Sequence, residues 1–228
     1  MLLSIVIPVY NEKNTLLQII QKIDELPSSL NREMILVDDG STDGSREILK
    51  TLENRKDVKV IYKEKNTGKG DSLKVGFKNS RGDYVIVQDA DLEYDPKDYF
   101  KLLDVIQNTE KTVVYGSRFT GTYKDMSALH YYGNKFLTFI TNLLYGVWLT
   151  DMETCYKLFP GNFIRGLELK ANRFDFEPEI TAKIIKNKFK IVEVPINYYG
   201  RTHFEGKKIT WKDGFNAIWS LIKYRLYD

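Results

Sequence analysis

The stretch Tyr84-Val85-Ile86-Val87-Gln88-Asp89-Ala90-Asp91-Leu92-Glu93-Tyr94-Asp95 decides how the chain is read. Its first four residues are β-branched or aromatic, as in a short buried strand. The strand runs straight into Asp89, Asp91, Glu93 and Asp95. Carboxylates this close repel one another unless a cation sits among them. Asp89 and Asp91 are two apart, so in extended backbone they point the same way. That pair offers a hard divalent ion one or two oxygen ligands and leaves room for water and substrate phosphates. Magnesium or manganese suits the set. Zinc does not, because the chain has one Cys and two His. The plainer alternative is an acidic, solvated turn.

Outward from this stretch, strand and helix patterns alternate. Residues 2–9 read as a first strand buried on both faces. Pro8 has no N–H for a ladder, so the strand is expected to end there and turn outward. Leu16, Leu17, Ile19, Ile20, Ile23 and Leu26 recur at helical spacing. Residues 34–37 read as a strand, followed at once by Asp38-Asp39-Gly40-Ser41-Thr42-Asp43-Gly44 and a helix over 45–53. Val58–Tyr62 is a third strand. Asn66-Thr67-Gly68-Lys69-Gly70 is a loop into a helix ending near Asn79. Beyond the acidic strand come a helix over 96–107 and a strand over 112–116.

This alternation predicts an α/β fold, a mostly parallel sheet flanked by helices. Ligands in such sheets bind beyond the carboxyl ends of the strands. Tyr10-Asn11-Glu12, residues 38–43 and residues 89–93 all lie there, so three polar clusters are expected to meet in one crevice. The second half drops the alternation: one or two helices over 131–149, a helix over 174–186, a strand over 190–195 and a last helix over Trp211–Leu226. No repeat or Gly/Pro-rich linker divides the halves, so residues 1–228 are expected to form one domain with a C-terminal helical extension.

Composition narrows the function classes. Of 228 residues, 43% are hydrophobic and 29% charged, as in a globular chain. A net charge of +3 is too small to argue for nucleic acid. The lone Cys155 cannot form an intramolecular disulfide and fits a reducing compartment. The first ten residues lack the basic start of a signal peptide, and no run of 18 apolar residues is present. Gly68-Lys69-Gly70 is no P-loop, for Lys63 stands where the first glycine belongs and Gly70 where Ser or Thr belongs. The dinucleotide glycine fingerprint and the nucleophile elbow are also missing.

Taken together, Ile7-Pro8-Val9-Tyr10-Asn11-Glu12, Val37-Asp38-Asp39-Gly40-Ser41-Thr42-Asp43, Asn66-Thr67-Gly68-Lys69-Gly70 and Gln88-Asp89-Ala90-Asp91-Leu92-Glu93 resemble a family 2 glycosyltransferase of GT-A, Rossmann-like fold. Gly116-Ser117-Arg118 and Tyr199-Gly200-Arg201 with Gly206-Lys207-Lys208 narrow the resemblance to the dolichyl-phosphate or polyprenyl-phosphate hexosyltransferases. The resemblance covers nearly the whole chain. It implies that residues 1–118 bind the nucleotide sugar and metal, and that 119–228 face the acceptor and membrane. It implies that Pro8, Tyr10, Glu12, Val37, Asp39, Lys69, Asp89, Ala90 and Asp91 hold a nucleotide sugar, GDP-mannose or UDP-glucose. Asp89, Asp91 and Glu93 would bind Mg2+ or Mn2+; Glu93 stands where the mannosyltransferases of this branch have Gln. Asp151-Met152-Glu153-Thr154 matches an acidic segment near the acceptor, with Cys155 where relatives have Gly.

The chemistry assigns further roles. A divalent ion stabilises a departing diphosphate as a Lewis acid. A lipid phosphate is already largely ionised near neutral pH and needs cations to place it, not a strong base. Arg118, Arg201, Lys207 and Lys208 are the candidates, arginine favoured for its bidentate fork. Arg118 and Asp151 join Asp89 and Asp91 as candidate catalytic residues. A saccharide acceptor would instead need a base, Asp151 or Glu153. His203 reads as a surface imidazole. Trp211, Phe215, Ile218, Trp219, Ile222 and Leu226 form an apolar stripe with Lys212, Lys223 and Arg225 among them, either an interfacial helix or a core helix. Phe136, Leu137, Phe139, Ile140, Leu143, Leu144 and Trp148 form another. The expectation is an inverting transferase at the cytoplasmic face of a membrane, peripheral or held by an anchoring partner protein. The rivals are transfer to a saccharide in cell-envelope synthesis, a sugar nucleotidyltransferase, and a catalytically silent nucleotide-sugar binder.

Overall fold

Four runs of β-branched and aliphatic residues build one half of a sheet: β1 (Leu3–Val9), β2 (Arg32–Asp38), β3 (Val58–Tyr62) and β4 (Tyr84–Val87). They pair in parallel in the order β3-β2-β1-β4. The structure, a computed structural model, describes residues 1–107, 109–201 and 211–227, the side chains of Trp211, Lys212 and Asp213 excepted. α1 (Leu16–Asp24), α2 (Ser45–Leu52) and α3 (Lys69–Asn79) make the crossovers. α1 buries Leu16, Ile19, Ile20 and Ile23, the i, i+3, i+4, i+7 stripe that its spacing announces. With helices covering it, β1 is buried along nearly its whole length.

Pro8 does not end β1. The strand runs on to Val9, and Pro8 stays in register with Val37 of β2. The backbone of Val6 faces β4, where its carbonyl accepts from Gln88, and that of Val9 faces β2, where its carbonyl accepts from Asp39. Alternation then turns Pro8 toward β4, whose pairing has already stopped at Val87. The missing N–H would have faced the Gln88 carbonyl, so the ladder with β4 stops there while the ladder with β2 runs on to Val9.

The second half comprises α4 (Tyr99–Gln107), β5 (Thr112–Lys124), α5 (Ala128–Tyr145), β6 (Lys157–Pro160), α6 (Gly161–Gly166), α7 (Phe176–Lys186), β7 (Lys190–Tyr199) and α8 (Trp211–Leu226). A single 3-10 turn over Pro96–Asp98 leads into α4, with the Asp95 carboxylate accepting from the Lys97 amide at 3.0 Å. The sheet is completed as β3-β2-β1-β4-β6-β5-β7. β6, which the sequence pattern does not reveal, wedges between β4 and β5 and runs antiparallel to both. β5 continues well past Gly116: its register with β7 breaks between Ser117 and Thr122 and then resumes to Lys124. This longer ribbon brings Arg118 and Tyr198 beside the crevice. Phe77, Phe159 and Phe176 pack ring on ring where α3, β6 and α7 meet, with centroids 5.9 and 6.0 Å apart.

Candidate functional site

The three polar clusters do meet beyond the carboxyl ends of β1, β2 and β4. Gln88, wholly buried, sets the direction of the acidic segment. Its Oε1 accepts from the Tyr99 and Tyr156 hydroxyls at 2.5 and 2.6 Å, and its Nε2 donates to the Asp89 carbonyl at 2.9 Å. Asn11 and Leu92, neither a glycine, take left-handed backbone at φ 54° and 66°. Such conformations cost about 1–3 kcal/mol each and gather where a site needs a side chain aimed. Gly68 also has positive φ, and a Cβ there would collide with the Asn172 carbonyl, so the loop into α3 requires glycine.

Asp89, Asp91 and Glu12 each have a basic partner. Asp89 receives Lys69 Nζ at 2.9 and 3.0 Å. Burial pushes its carboxyl up, but Lys69, together with Cys155 and Arg201, holds it below the usual range. Asp91 Oδ2 lies 2.8 Å from Arg201 Nη2, and Arg201 Nη1 lies 3.2 Å from Glu12 Oε2. Burial first, then the charges of Asp89 and Glu93, push Asp91 up to about 8 in spite of Arg201. Glu93 is held from the end of β7: its Oε2 accepts from the Tyr198 hydroxyl and its Oε1 from the Arg201 amide, both at 2.9 Å.

These donors fit a hard divalent ion in type, all being carboxylate oxygen, and in charge. Among the described residues no three acidic, imidazole or thiol side chains are gathered to hold an ion unaided. Asp89 and Asp91 would give one or two ligands, and a diphosphate the others.

Asp39 is a clamp. Its Oδ1 accepts from the Thr67 amide at 2.9 Å, its Oδ2 from the Gly68 amide at 2.8 Å, and Lys63 Nζ lies 2.7 Å away. It fixes the 66–68 loop against β2. Val37 is buried core beneath it, and Ala90 is buried between Asp89 and Asp91. Pro8 and Tyr10 remain half-buried at the rim.

Arg118 and Asp151 form a second, adjoining unit. Asp151 Oδ2 accepts from the Arg118 amide and Nε at 3.0 and 2.7 Å, and Oδ1 from Nη2 at 2.7 Å. Both are buried. Tyr198 joins this unit to the acidic one, its hydroxyl on Glu93 and its ring 5.3 Å from the Arg118 guanidinium carbon. Glu153 is pushed up to about 8, by burial and then by the Glu177 charge. Lys207, Lys208 and His203 lie outside the described residues.

Residues 4–163 match the sequence model described as glycosyl transferase family 2. The chain belongs to glycosyl transferase family 2. A dolichol-phosphate mannosyltransferase of Pyrococcus furiosus is 31% identical over 91% of this chain, which spans 59% of that protein's length. A UDP-N-acetylglucosamine–dolichyl-phosphate N-acetylglucosaminyltransferase of Methanococcus voltae is 29% identical, over 99% of this chain and 96% of its own. Among solved structures, glucosyl-3-phosphoglycerate synthase from Mycobacterium tuberculosis, in complex with Mn2+, UDP and glucosyl-3-phosphoglycerate, superposes with a TM-score of 0.73 at 18% identity, covering 97% of this chain and 79% of that one. That likeness concerns the fold, which is the GT-A arrangement.

The sequence motifs of the family 2 domain did not disclose three of these side chains. Gln88 opens the acidic motif with no role assigned to it, and Tyr198 lies past the strand expected over 190–195, so only their positions beside Asp89 and before Arg201 hint at more. Glu177 reads as a surface carboxylate in the first turn of a helix, yet it is buried with Oε1 3.5 Å from Lys69 Nζ.

Proposed function

We propose that this family 2 chain moves a hexose, mannose or glucose, from a nucleotide sugar to a polyprenyl or dolichyl phosphate, with inversion, at the cytoplasmic face of a membrane. The observation that carries the phosphate acceptor is the state of the two carboxyls that could deprotonate a hydroxyl. Asp151 already accepts three hydrogen bonds from Arg118, and burial and the Glu177 charge push Glu153 away from its ionised form. An acceptor phosphate brings its own negative charge and needs neither. The names of the relatives from P. furiosus and M. voltae point the same way.

In this reading Asp89 and Asp91 hold the donor's diphosphate end through Mg2+ or Mn2+, which supplies Lewis-acid stabilisation to the leaving diphosphate. Lys69, fixed between Asp89 and Glu177, adds a buried positive charge on the same side. Arg201 is bound to Asp91 and Glu12, so it spans the donor carboxylates. Arg118 and Arg201, with Lys207 beyond the described residues, would position the acceptor phosphate in line with the sugar carbon under attack.

The membrane contact rests on α5. The two residues that this helix buries fully are Thr138 and Thr141, while Leu129, Tyr132, Phe136, Phe139 and Leu143 face outward, Leu129 at 78% and Tyr132 at 70% exposure. Trp148 just after it is 94% exposed, and α8 adds Phe215, Trp219 and Leu226. An apolar face this long on helices whose inner side is partly polar suits the headgroup boundary of a bilayer. No helix among the described residues is long and apolar enough to cross one. An anchoring partner protein is the alternative means of attachment.

The deciding experiment incubates the purified protein with Mn2+, labelled GDP-mannose or UDP-glucose, and a short-chain polyprenyl phosphate, and follows label into the organic phase. Label there is the expected result, and the donor that gives it names the sugar. Label in an added saccharide but never in lipid would replace this reading with transfer in polysaccharide synthesis.

A further inference from the structure

Glu177 lies behind Lys69, buried, with an unmet valence. It is the second residue of α7 and 5% exposed. Its Oε1 lies 3.5 Å from Lys69 Nζ, the same ammonium that grips both oxygens of Asp89. Its Oε2 is buried and has no hydrogen-bond partner among the described residues. Buried carboxylate oxygens are rarely left so, because each forfeits the hydrogen bonds that water gave it. Glu179, in the same turn, shows what a structural carboxylate does in this helix. Its oxygens accept from the Lys170 and Ala171 amides at 2.6 to 3.0 Å and pair with Lys183 at 3.1 Å. Glu153 carries a second buried, unpartnered oxygen, Oε1. After burial, Glu177 is the strongest influence on it, so the two carboxyls are near neighbours.

We infer that Glu177 recognises the hexosyl group of the donor, its free Oε2 accepting a hydrogen bond from one ring hydroxyl while Lys69 holds its Oε1. This rests on the donor site proposed above. With the diphosphate held at Asp89 and Asp91, the hexose on its second phosphate would enter the same pocket, and Lys69 ties Asp89 to Glu177. A sugar hydroxyl is a donor of the size and kind that the orphaned oxygen lacks, and the same bond would make Glu177 a selector of sugar configuration. A site that commits a buried charge to one hydroxyl discriminates strongly against a ligand without it.

Binding at equilibrium tests this without requiring turnover. Calorimetry with Mn2+ compares GDP-mannose with GDP, and UDP-glucose with UDP, on the wild-type chain and on Glu177→Gln. The variant should bind the nucleotide sugar roughly 10- to 100-fold more weakly, the usual worth of a hydrogen bond to a charged group, and the bare diphosphate within about twofold of wild type. A series of monodeoxy donors on the wild-type protein should show one position whose loss costs as much, and that donor should lose nothing further on Glu177→Gln. Equal loss for sugar-bearing and bare nucleotides would make Glu177 a support of Lys69 and overturn the inference. So would a wild-type protein indifferent to every deoxy position, an arm that does not depend on the variant folding. If neither bare diphosphate binds the wild-type chain, the donor site itself is wrong and the inference goes with it.

Discussion

Asp91 carries the sharpest prediction at the scale of a residue. Its carboxyl is pushed up to about 8 by burial and by Asp89 and Glu93, so keeping it there destabilises the folded chain. Asp91→Asn removes that titrating carboxyl, and Arg201 keeps Glu12 and Glu93 as partners. The variant should fold as stably as the wild type or better, and lose at least about 100-fold in kcat/KM, since a metal ligand supports several kcal/mol of transition-state stabilisation. Retained activity, measured by label transfer, would remove Asp91 from the metal site. Glu153 gives a pH signature. Its native pKa, raised to about 8, exceeds its ordinary 4.5, so between those values the folded chain holds a proton that the unfolded chain has lost. Stability contributed by the protonated form is complete below 4.5 and disappears as pH rises through 8. Melting curves of Glu153→Gln should show a shallower decline across that window than the wild type. A parallel decline in both would assign the effect to another group. The motif spacing made Asp89, Asp91 and Glu12 legible, for strand ends in a parallel sheet bring such residues together. It could not show the Arg118–Asp151 pair, 33 positions apart, or the burial of Glu177, since a helix's first-turn carboxylate looks the same in sequence whether it faces solvent or a crevice.

At the scale of an element, α8 serves two surfaces at once. Ala217, Leu221 and Tyr224 are buried, and the Tyr145 hydroxyl of α5 donates to the Leu221 carbonyl at 2.7 Å. Phe215, Trp219 and Leu226 are exposed on the other side. Sequence periodicity alone left an interfacial and a core helix as rivals, because both write the same 3.6-residue stripe. The structure turns that stripe outward, with Phe215, Trp219 and Leu226 exposed and Ile218 and Ile222 half-buried, and the core side of the helix is a different set, Ala217, Leu221 and Tyr224. Leu221→Ala should therefore cost about 2–5 kcal/mol, several degrees of Tm or more in a chain this size, by opening a cavity between α5 and α8. Trp219→Ala should leave Tm within a degree or two and weaken sedimentation with anionic liposomes several-fold. The reverse pattern would place the inner and outer faces wrongly. β6 shows where pattern reading gives out. It has four residues, one of them a buried Lys157 and the last a proline, and neither alternation nor a turn signal marks it. Its place is set by β4 and β5, which are far from it in sequence.

At the scale of the whole molecule, fold and candidate cofactor are separable. The acidic crevice lies at strand ends whose apolar cores pack without it, and Lys69 and Arg201 already stand against Asp89 and Asp91 as internal cations. A structural metal site would have left those carboxylates to repel one another and the strand ends to fray without the ion. Chelation should accordingly abolish label transfer and leave Tm nearly unchanged. Mn2+ alone should stabilise little, for among the described residues no three-ligand group awaits it. Mn2+ with the nucleoside diphosphate should stabilise by about 2.7 kcal/mol when the diphosphate is at 100 times its Kd, because ligand binding to the native state alone adds RT ln(1 + [L]/Kd). For a chain of this length that is roughly 5–10 °C in a melting curve. If chelator melts the protein, the ion is part of the fold. If diphosphate stabilises equally with and without Mn2+, Lys69 and Arg201 carry the phosphates unaided, and Asp89 and Asp91 serve to position those cations.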